Sequence, residues 1–433
     1  MVHVRITDRI RRRVPTSVVV GTACAAALAA WAGASAIDTT NPASAGEDRG
    51  RPARNVVLFI GDGMGAAHRT FFREALKGHT GELAMDSLPV AGVQHTDPED
   101  PKEPITDSAA AGTAIAAGVK TVNGAVGVDK DGSPVRTVLE AARARGRATG
   151  LVTTSQVTDA TPASFAAHTS DRDRQSEIAR QYIEETKPDV ILGGGEDWWL
   201  PAGDAGAHPD HPADDPSEAS KSTGGDLVAR ARKLGYDYVS NAAELRASRS
   251  RKLLGLFANE EMFQARPEGR GDEYDPGVSL PDMTAKALAT LNRSRKGFFL
   301  MVEEEAIDEM SHKNNARRTL AAGKALDASV AVARRYAAAH PDTLVLVTAD
   351  HECGGLTVED AADSADESGD KSREDGPFPI PGTRRAVAVD WTTTGHTGVD
   401  VPLTAGGPGA ELFTGVYQDT AIHDRILKAA RLR

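Results

Sequence analysis

The run Asn55-Val-Val-Leu-Phe-Ile60 leads directly into Gly61-Asp-Gly-Met-Gly65, and this junction indicates the architecture of the chain. A short apolar run bounded by turn residues is typical of a strand buried on both faces of a parallel sheet. The glycines permit a tight turn, so Asp62 stands at the carboxyl end of the strand and a helix follows to about residue 77. The glycine spacing differs from that of dinucleotide-binding turns, so it does not indicate a nucleotide cofactor.

The rest of the chain repeats this alternation of buried strands and helices. Further strands are predicted near residues 90–95, 148–154, 189–192, 252–257, 297–302, 342–348 and 385–389. Further helices are predicted near residues 108–118, 134–145, 174–185, 281–293, 308–339 and 418–432. Such alternation predicts an α/β fold with a mostly parallel central sheet and helices on both faces.

The composition limits the classes of protein to which the chain can belong. With 433 residues, 40% of them hydrophobic and 26% charged, the chain can bury the core of one large domain with insertions. The net charge of −12 argues against nucleic-acid binding, which normally needs a basic face. It does not exclude an anionic substrate, because bound cations invert the local field.

Residues 1–45 are predicted to be an export signal. An arginine-rich start, which includes Arg11-Arg12-Arg13, precedes an Ala-rich apolar stretch with cleavage sites after Ala36 or Ala45. Arginines before a weakly apolar stretch favour the twin-arginine route, which predicts a secreted protein without a stable membrane anchor. Cleavage leaves Cys353 as the one cysteine, so no intrachain disulfide can form.

Residues 46–433 are predicted to form a single domain with loop insertions near 196–225 and 359–383. The first insertion is rich in Pro, Gly and Asp and contains Trp198, Trp199, His208 and His211. Its histidines are more simply explained as surface residues than as metal ligands, and its tryptophans as anchors of the loop. The second insertion is acidic and rich in Ser and Gly, as an exposed loop would be.

The candidate for the chemistry is Ser108, in the run Ile105-Thr-Asp-Ser-Ala-Ala-Ala-Gly-Thr113. Ser108 stands at the start of an Ala-rich helix, whose free N–H groups and partial positive charge attract an oxyanion or phosphate. Its hydroxyl can cap the helix, or it can act as a nucleophile if its proton is removed or masked. Both interpretations are open on this stretch alone.

Carboxylates and histidines, the common metal ligands, follow four predicted strands and begin one predicted helix. They are Asp62, Asp159 with Thr161, Glu303, Asp308 with His312, Asp350 with His351, and, in a glycine-flanked loop, His396. Sites in open α/β sheets lie at the carboxyl ends of the strands, so these side chains should converge, and cations would relieve their mutual repulsion. Mixed nitrogen and oxygen ligands suit zinc, and an all-oxygen set suits magnesium.

Six short motifs stand in a fixed order along the chain. They are Ile60-Gly-Asp-Gly-Met-Gly65, Thr106-Asp-Ser-Ala109, Asp159-Ala-Thr-Pro-Ala163, Val302-Glu303 with Asp308 and His312, Thr348-Ala-Asp-His351, and Gly395-His-Thr-Gly398. In this order they resemble the alkaline phosphatases over about residues 55–430. The resemblance implies that family's α/β fold, hydrolysis of small phosphate monoesters through a phosphoserine, two zinc ions and one magnesium ion, and a monomer or homodimer.

The resemblance also implies a role for each candidate residue. Ser108 would be the nucleophile, Arg172 would bind the phosphate, and Asp107 would orient Arg172. The zinc ligands would be Asp308, His312 and His396 for one ion and Asp62, Asp350 and His351 for the other. The magnesium ligands would be Asp62, Thr161 and Glu303, with Asp159 acting through water.

The chain departs from the family at Glu309, where members with Asp at position 159 often have Lys and others have His or Trp. Together with Glu304 and Glu305 it predicts an acidic rim, which is either a solvated face or a surface for a cationic leaving group. Cys353, two residues beyond His351, is expected to be a small packing residue near the metals. The implied protein is an exported metal-dependent phosphomonoesterase. The alternatives are a phosphatase for a phosphorylated aminoglycoside and a phosphodiesterase of the same superfamily. A non-catalytic zinc-binding protein is disfavoured, because it would need no nucleophile such as Ser108.

Overall fold

The computed structural model describes residues 51–208, 219–263, 274, 276–361 and 373–433. The predicted export signal lies outside the described residues, as do His211 and parts of both predicted insertions. In the described ranges, no helix combines the length and the apolar character that crossing a membrane requires.

The described residues contain fifteen strands, and all eight predicted strands are among them, each within two residues at both ends. Strands β1 to β8 span Asn55–Gly61, Val90–His95, Ala148–Gln156, Val190–Gly194, Asp237–Val239, Leu253–Leu256, Phe298–Glu304 and Thr343–Thr348. Strands β9 to β15 span Glu352–Cys353, Leu356–Asp360, Arg373–Pro379, Ala386–Trp391, His396–Thr397, Val401–Gly406 and Gly415–Gln418.

The same part of the chain contains eleven α-helices. Helices α1 to α6 span Ala66–Lys77, Ser108–Ala117, Val138–Ala144, Ala160–Ala166, Gln175–Gln181 and Leu227–Lys233. Helices α7 to α11 span Ala242–Ala247, Leu280–Leu291, Ala306–His312, Ala316–Ala339 and Thr420–Ala429. A π-helix at Tyr182–Thr186 extends α5, and short 3₁₀ helices lie at Glu196–Trp198 and Ala410–Phe413.

Ten of the strands form one sheet in the order β15-β2-β14-β8-β1-β7-β3-β4-β6-β5. Strand β14 runs antiparallel to its neighbours β2 and β8, and the other pairs of this sheet are parallel. The predicted mostly parallel α/β sheet is therefore confirmed. Two small antiparallel sheets, β10-β12-β11 and β13-β9, lie outside it.

Successive residues of β1 point to opposite faces of the sheet and enter two separate cores. Val56, Leu58 and Ile60 belong to a core that includes residues of α2, α3, α4 and α11. Val57 and Phe59 belong to a second core with residues of α1, α8 and α10. Helices therefore cover both faces of the sheet, as its parallel, fully buried strands require.

The single helix predicted over residues 308–339 is wrong, because the chain forms two helices there, α9 and α10. The backbone of Asn314 adopts a left-handed φ of 47°, and the side chain of Asn315 caps α10 by accepting a hydrogen bond from the N–H of Arg318. Asparagine tolerates the left-handed region and is a strong N-cap. The pair therefore ends one helix and begins the next, which leaves His312 as the last residue of α9.

The loop predicted over residues 359–383 is also wrong in part. Arg373–Pro379 forms strand β11, which pairs antiparallel with β12, and Glu359 and Asp360 end strand β10. Along β10 the residues alternate between buried or half-buried and exposed, beginning with the buried Leu356. A half-buried strand needs only this alternation, and the acidic composition of the segment obscured it.

Four adjacent strands, in the order β8-β1-β7-β3, end at one edge of the sheet. Asp62 follows β1, and Glu303 is the penultimate residue of β7. Asp350 follows β8, and Asp159 follows β3. Since these four strands are parallel, their carboxyl ends meet. The topology thus brings together side chains that are far apart along the sequence.

Candidate active site

Ser108 is the first residue of α2, and its hydroxyl does not cap the helix. The cap is Asp107, whose Oδ1 accepts a hydrogen bond from the N–H of Ala110 at 2.9 Å. Asp107 Oδ2 accepts another from the N–H of Gly124, also at 2.9 Å. Ser108 Oγ instead lies 3.2 Å from Nε2 of His351. The capping interpretation of Ser108 is therefore wrong, and its role as nucleophile stays a prediction.

Asp308, His312 and His396 bring nitrogen and oxygen atoms to one point. His312 Nε2 lies 3.0 Å from Asp308 Oδ2 and 3.1 Å from His396 Nε2. The Nδ1 atoms of the two rings face the carbonyl oxygens of Thr394 at 2.6 Å and Thr106 at 2.9 Å. An Nδ1–H donated there leaves the Nε2 lone pair free for a metal. Ligand atoms about 2.0–2.1 Å from a tetrahedral ion are about 3.3–3.4 Å apart, so a small adjustment of this spacing would fit zinc.

A second group of ligand atoms surrounds His351. Its Nε2 lies 3.3 Å from Asp62 Oδ1 and 3.3 Å from Asp350 Oδ2. Both oxygens are buried and have no hydrogen-bond partner within the described part of the chain, and the same is true of Asp308 Oδ1. A cation that accepts their lone pairs would satisfy all three oxygens. The rings of His351 and His396 stack with centroids 3.6 Å apart, so the two groups form one continuous site.

A third group contains only oxygen atoms. Thr161 Oγ1 donates a hydrogen bond to Asp62 Oδ2 at 3.3 Å, and the same hydroxyl lies against the carboxylate of Glu303. Thr153 donates to Glu303 Oε2 at 2.5 Å. Asp159, the N-cap residue of α4, stands two positions before Thr161. An all-oxygen arrangement of this kind fits magnesium.

Burial and mutual repulsion set the protonation of the carboxylates. Burial, followed by the charges of Asp350 and Asp308, raises the pKa of Asp62 well above its usual range. Burial raises the pKa of Glu303 to about 8 and that of Asp350 to about 6. Burial also opposes ionisation of Asp308, but the hydrogen bond from His312 and the nearby imidazole of His396 hold its pKa well below its usual range. Several of these groups must lose protons when a cation binds.

The three histidines differ in protonation. The hydrogen bond to Asp308 raises the pKa of His312 to about 9. Burial lowers the pKa of His396, but the carboxylate of Asp308, 3.6 Å from its Nε2, outweighs this and raises the pKa overall. Burial and the charge of His396 lower the pKa of His351 well below its usual range. His351 is therefore neutral, so one of its two ring nitrogens carries a lone pair that a metal could accept.

Arg172 lies beside the start of α2, held by two carboxylates. Its Nη1 is 3.3 Å from Asp107 Oδ2, and its Nη2 is 2.9 Å from Asp159 Oδ1. Burial opposes the charge of the guanidinium, but these two carboxylates keep its pKa above the usual range. Asp107 thus caps the helix that begins at Ser108 and orients Arg172. A guanidinium fixed in this way can offer its fork to two phosphate oxygens.

Gly63 allows the first two ligand groups to approach each other. Its φ is 68°, and a Cβ there would lie 2.5 Å from Asp308 Oδ1 and 2.9 Å from Cys353 Cβ. Its N–H donates to Asp350 Oδ1 at 3.2 Å. Only glycine accepts this backbone conformation in so small a space.

Cys353 lies among the candidate zinc ligands, close to the metals as predicted from its position two residues after His351. Its Sγ and the ligand atoms of Asp308, His312 and His396 all lie within 4.8 Å of one another. Burial and the charge of Asp308 raise the pKa of the thiol, which is hydrogen-bonded to Asp308. Cys353 is therefore a neutral donor to a candidate ligand as well as a packing residue.

The predicted acidic rim is wrong for Glu304 and Glu305. The carboxylate of Glu304 is fully buried and accepts hydrogen bonds from Thr154 Oγ1 at 2.8 Å and from the hydroxyl of Tyr274. Glu305 is only 6% exposed, so it is no part of a solvated face. Only Glu309 of the three reaches solvent, with 39% of its side chain exposed.

The described residues of the first insertion lie apart from the ligand groups. His208 Nε2 is hydrogen-bonded to the carbonyl of Leu256 at 3.0 Å. Trp199 is fully buried in the core, and Trp198 Nε1 donates to Gln156 Oε1 at 2.5 Å. The tryptophans therefore anchor the insertion, as predicted.

The chain matches known proteins over most of its length. A family model described as "Alkaline phosphatase" matches residues 53–380 and 356–432. Alkaline phosphatase 4 of Bacillus subtilis (strain 168) is 32% identical over 89% of this chain and 90% of its own. Streptomycin-6-phosphate phosphatase of Streptomyces griseus is 35% identical over 96% of this chain and 97% of its own. The solved structure of the alkaline phosphatase from the Antarctic bacterium TAB5 has a TM-score of 0.70 and 28% identity, covering 88% of this chain and 99% of that one.

These matches extend across the sheet, both cores and the edge where the candidate ligands meet. They agree with a site that holds a serine at a helix N-terminus, an oriented arginine and clustered carboxylates and imidazoles. The chain belongs to the alkaline phosphatase family and is a phosphomonoesterase.

Proposed function

We propose that the chain hydrolyses phosphate monoesters in a metal-dependent reaction through a phosphoserine at Ser108. The main support is the approach of Ser108 Oγ to His351 Nε2 at 3.2 Å, at a helix N-terminus next to unpaired buried carboxylates. Attack by Ser108 forms its bond to phosphorus and breaks the bond to the leaving oxygen. Water then cleaves the phosphoserine, which releases inorganic phosphate and restores the hydroxyl.

The donor atoms present fit the three ions that we propose as cofactors. One zinc would be held by Asp308, His312 and His396, the other by Asp62, Asp350 and His351, and magnesium by Asp62, Thr161 and Glu303, with Asp159 acting through water. When bound, such ions lower the proton affinity of the attacking hydroxyl and stabilise charge on the leaving oxygen. A TAB5 variant solved with magnesium bound in its M3 site supports the assignment of magnesium.

The protein side chains themselves bind and orient the phosphate in this proposal. Arg172 contacts two phosphate oxygens, and the free N–H groups at the start of α2 face the same anion. Asp107 fixes both parts, because it caps α2 and holds Nη1 of Arg172. Ser108 is thereby held close to the phosphorus in an orientation suited to attack, which reduces the entropy lost in reaching the transition state.

A comparison of ester classes tests this proposal. Hydrolysis of an aryl phosphate would be measured against pH, with and without a chelator, alongside a phosphodiester and a sulfate ester. We expect the monoester to react fastest and the chelator to abolish its hydrolysis. Preferential cleavage of the diester or the sulfate, or full activity in the chelator, would contradict the proposal.

Replacing Arg172 by alanine should raise KM for an aryl phosphate, and the inhibition constant of inorganic phosphate, by about 10-fold or more, because a charge-assisted contact is lost. Arg172→Lys should recover only part of this, since an ammonium lacks the planar fork. The control is Arg174→Ala, which removes an exposed arginine two positions away. Equal effects of the substitutions at 172 and 174 would rule out a specific phosphate contact.

Replacing Cys353 by alanine should weaken zinc binding by about 10-fold to 100-fold, because Asp308 would lose a hydrogen bond that orients it. Competition with a chromogenic chelator measures this affinity. Cys353→Ser keeps a donor and should retain more of the affinity than Cys353→Ala. If the two variants bind zinc as tightly as the unaltered protein, Cys353 only fills space.

We further propose that the protein is exported by its predicted signal, through the twin-arginine route, and that it is a monomer or homodimer outside the cytoplasm. The support for export is the arginine-rich start and the cleavage sites after Ala36 or Ala45. Replacing Arg11, Arg12 and Arg13 with lysine should block export. Continued export of that variant would favour the general secretory route instead.

A phosphorylated aminoglycoside is a second candidate substrate. The relative from Streptomyces griseus is named for streptomycin-6-phosphate, and acidic side chains stand beside the proposed phosphate site in this chain. The two candidates share one reaction and differ only in the leaving group.

A further inference from the structure

A cleft of about 740 Å³ opens at the edge of the central sheet opposite the candidate active site. Its lining comes from the loops that precede four adjacent parallel strands, in the order β7-β3-β4-β6, and from the ends of α3 and α8. The seven residues of β7, at about 3.3 Å each, separate this edge from the carboxyl edge by roughly 20 Å. The cleft is therefore distinct from the site that holds Ser108.

Positively charged side chains dominate the lining of this cleft, which we call the basic cleft. Among the described residues that line it, Asp189 is the one acidic residue. The chain as a whole carries a net charge of −12, so its average composition does not explain a concentration of positive charge. Clefts lined by charges of one sign focus the field and attract counter-ions. The cations in the lining are Arg143, Arg147, Arg251, Arg293, Arg295 and Lys296.

Half of these cations have no partner within the protein. In the part of the chain that the structure describes, the side chains of Arg251, Arg295 and Lys296 make neither a hydrogen bond nor an ion pair. Asp189 does not neutralise them, because its Oδ2 accepts a hydrogen bond from the N–H of Thr149 at 2.9 Å. The other three cations are held by backbone carbonyl oxygens and have no carboxylate partner there: Arg143, Arg147 and Arg293.

Helix ends explain only part of this basic cleft. The negative end of a helix dipole attracts cations in its last turn, which accounts for Arg143 in α3. Arg251, Arg295 and Lys296, however, lie beyond the last turns of α7 and α8, where the effect of the dipole has faded. Burial and the charge of Arg54 lower the pKa of Arg147 to about 10. The positive charges around the cleft are therefore not neutralised by the protein.

The lining of the basic cleft also restricts the class of anion that it can hold. Guanidinium forks match the oxygens of phosphoryl groups, and a cleft of this volume is larger than one phosphate requires. The described lining contains no aromatic side chain on which a nucleic-acid base could stack. Its apolar residues are Ala148 and the buried Leu291, so it offers no apolar surface for a lipid. A compact ligand with several phosphoryl groups fits best.

We propose that the basic cleft binds condensed phosphate, a chain or ring of at least three phosphoryl groups joined by anhydride oxygens. Arg251, Arg295 and Lys296 would each contact phosphoryl oxygens. The three arginines that backbone carbonyls hold would add to the positive potential around the ligand. Binding breaks and forms no covalent bond, and it does not depend on the reaction proposed for Ser108.

Calorimetric titration of the metal-loaded protein with cyclic trimetaphosphate tests the basic cleft. This ring has three phosphoryl groups but no terminal phosphate that a phosphomonoesterase could remove. Replacing Arg251, Arg295 and Lys296 together by glutamine should weaken binding by about 10-fold or more, because charge-assisted contacts are lost. Binding to the unaltered protein should weaken as the salt concentration rises. Hydrolysis of an aryl phosphate should be unchanged in the triple variant, since the cleft lies at the other edge of the sheet.

The matched control removes three positive charges from exposed positions outside the basic cleft. Lys233, Arg317 and Arg384 serve this purpose, and their combined replacement by glutamine should leave the affinity for trimetaphosphate unchanged. If the triple cleft variant loses hydrolytic activity as well, the single variants Arg251→Gln and Lys296→Gln replace it. Because these two residues lie in different loops, each substitution alone should weaken binding.

Three results would overturn the proposal. The first is a failure of trimetaphosphate to bind, and the second is equal binding by the cleft variants and the control variant. The third is tighter binding of inorganic phosphate or of a single-stranded oligonucleotide than of trimetaphosphate, with the same loss in the cleft variants. The cleft would then serve a single phosphate or a nucleic acid rather than condensed phosphate.

Discussion

Ser108→Ala should lower kcat for an aryl phosphate by about 10³-fold or more, as removal of a catalytic nucleophile does, while the bound metal ions remain. The reason is geometric: Asp107, not Ser108, caps α2, so the helix survives the substitution. The candidate ligands are carboxylates and imidazoles from other elements, which the substitution leaves in place. Turnover and metal content per chain, measured on the same preparation, check both halves of this expectation.

Ser164→Ala is the matched control for this prediction. Its hydroxyl is also buried, but it donates to the carbonyl of Ala160 in its own helix at 2.8 Å, so turnover should change only a few-fold. Acid-quenched reactions should carry phosphate on the peptide that contains Ser108 in the unaltered protein and not in Ser108→Ala. Near-normal turnover of Ser108→Ala would remove Ser108 from the reaction.

The convergence of the candidate ligands could be predicted because it depends on topology alone. Buried apolar runs end at Asp62, Glu303 and Asp350, and parallel strands place such ends at one edge. The distances that make the edge a site could not be predicted. The 3.3 Å spacing of His351 Nε2 from two carboxylates depends on how loops from separate strands pack around Gly63.

Which of Asp107 and Ser108 caps α2 could be decided only from the three-dimensional structure. Both residue types are strong helix caps, so local propensity does not separate them. Asp107 becomes the cap because Gly124 and Arg172 engage its second oxygen, and both come from later parts of the chain. Ser108 is then free to face His351. The local sequence was consistent with either arrangement.

The adjacent glutamates show the same limit more sharply. Glu304 ends β7 and meets Thr154 and Tyr274, whereas Glu305 lies just beyond the strand and meets other carboxylates. Consecutive residues point in different directions at a strand end. A run of glutamates in the sequence therefore indicates neither how deeply each side chain is buried nor which groups it contacts. A solvated face was the simplest interpretation of this sequence, but the side chains of Glu304 and Glu305 are both buried, so that interpretation is wrong.

Removal of the metal ions should abolish activity and make the chelated protein less stable as the pH rises from 6.5 to 9. Burial raises the pKa of Glu303 from 4.5 to about 8, and the bond to Asp308 raises that of His312 from 6.5 to about 9. The folded state therefore holds protons that the unfolded state has released. Each such proton lowers the free energy of unfolding by about 1.4 kcal/mol per pH unit. Urea unfolding at both pH values measures the change.

The metal-loaded protein should behave differently over the same range. Its ligands have already lost their protons, and binding that releases protons strengthens as the pH rises, so the stabilisation by the metals should grow from pH 6.5 to 9. His351 opposes this trend only slightly, because its folded form is neutral throughout and its unfolded form loses just the remaining half proton within about one pH unit above 6.5. Glu303→Gln provides the control, since the chelated variant should lose less stability as the pH rises. A chelated protein that is equally stable at both pH values would mean that these groups are not buried together without metal.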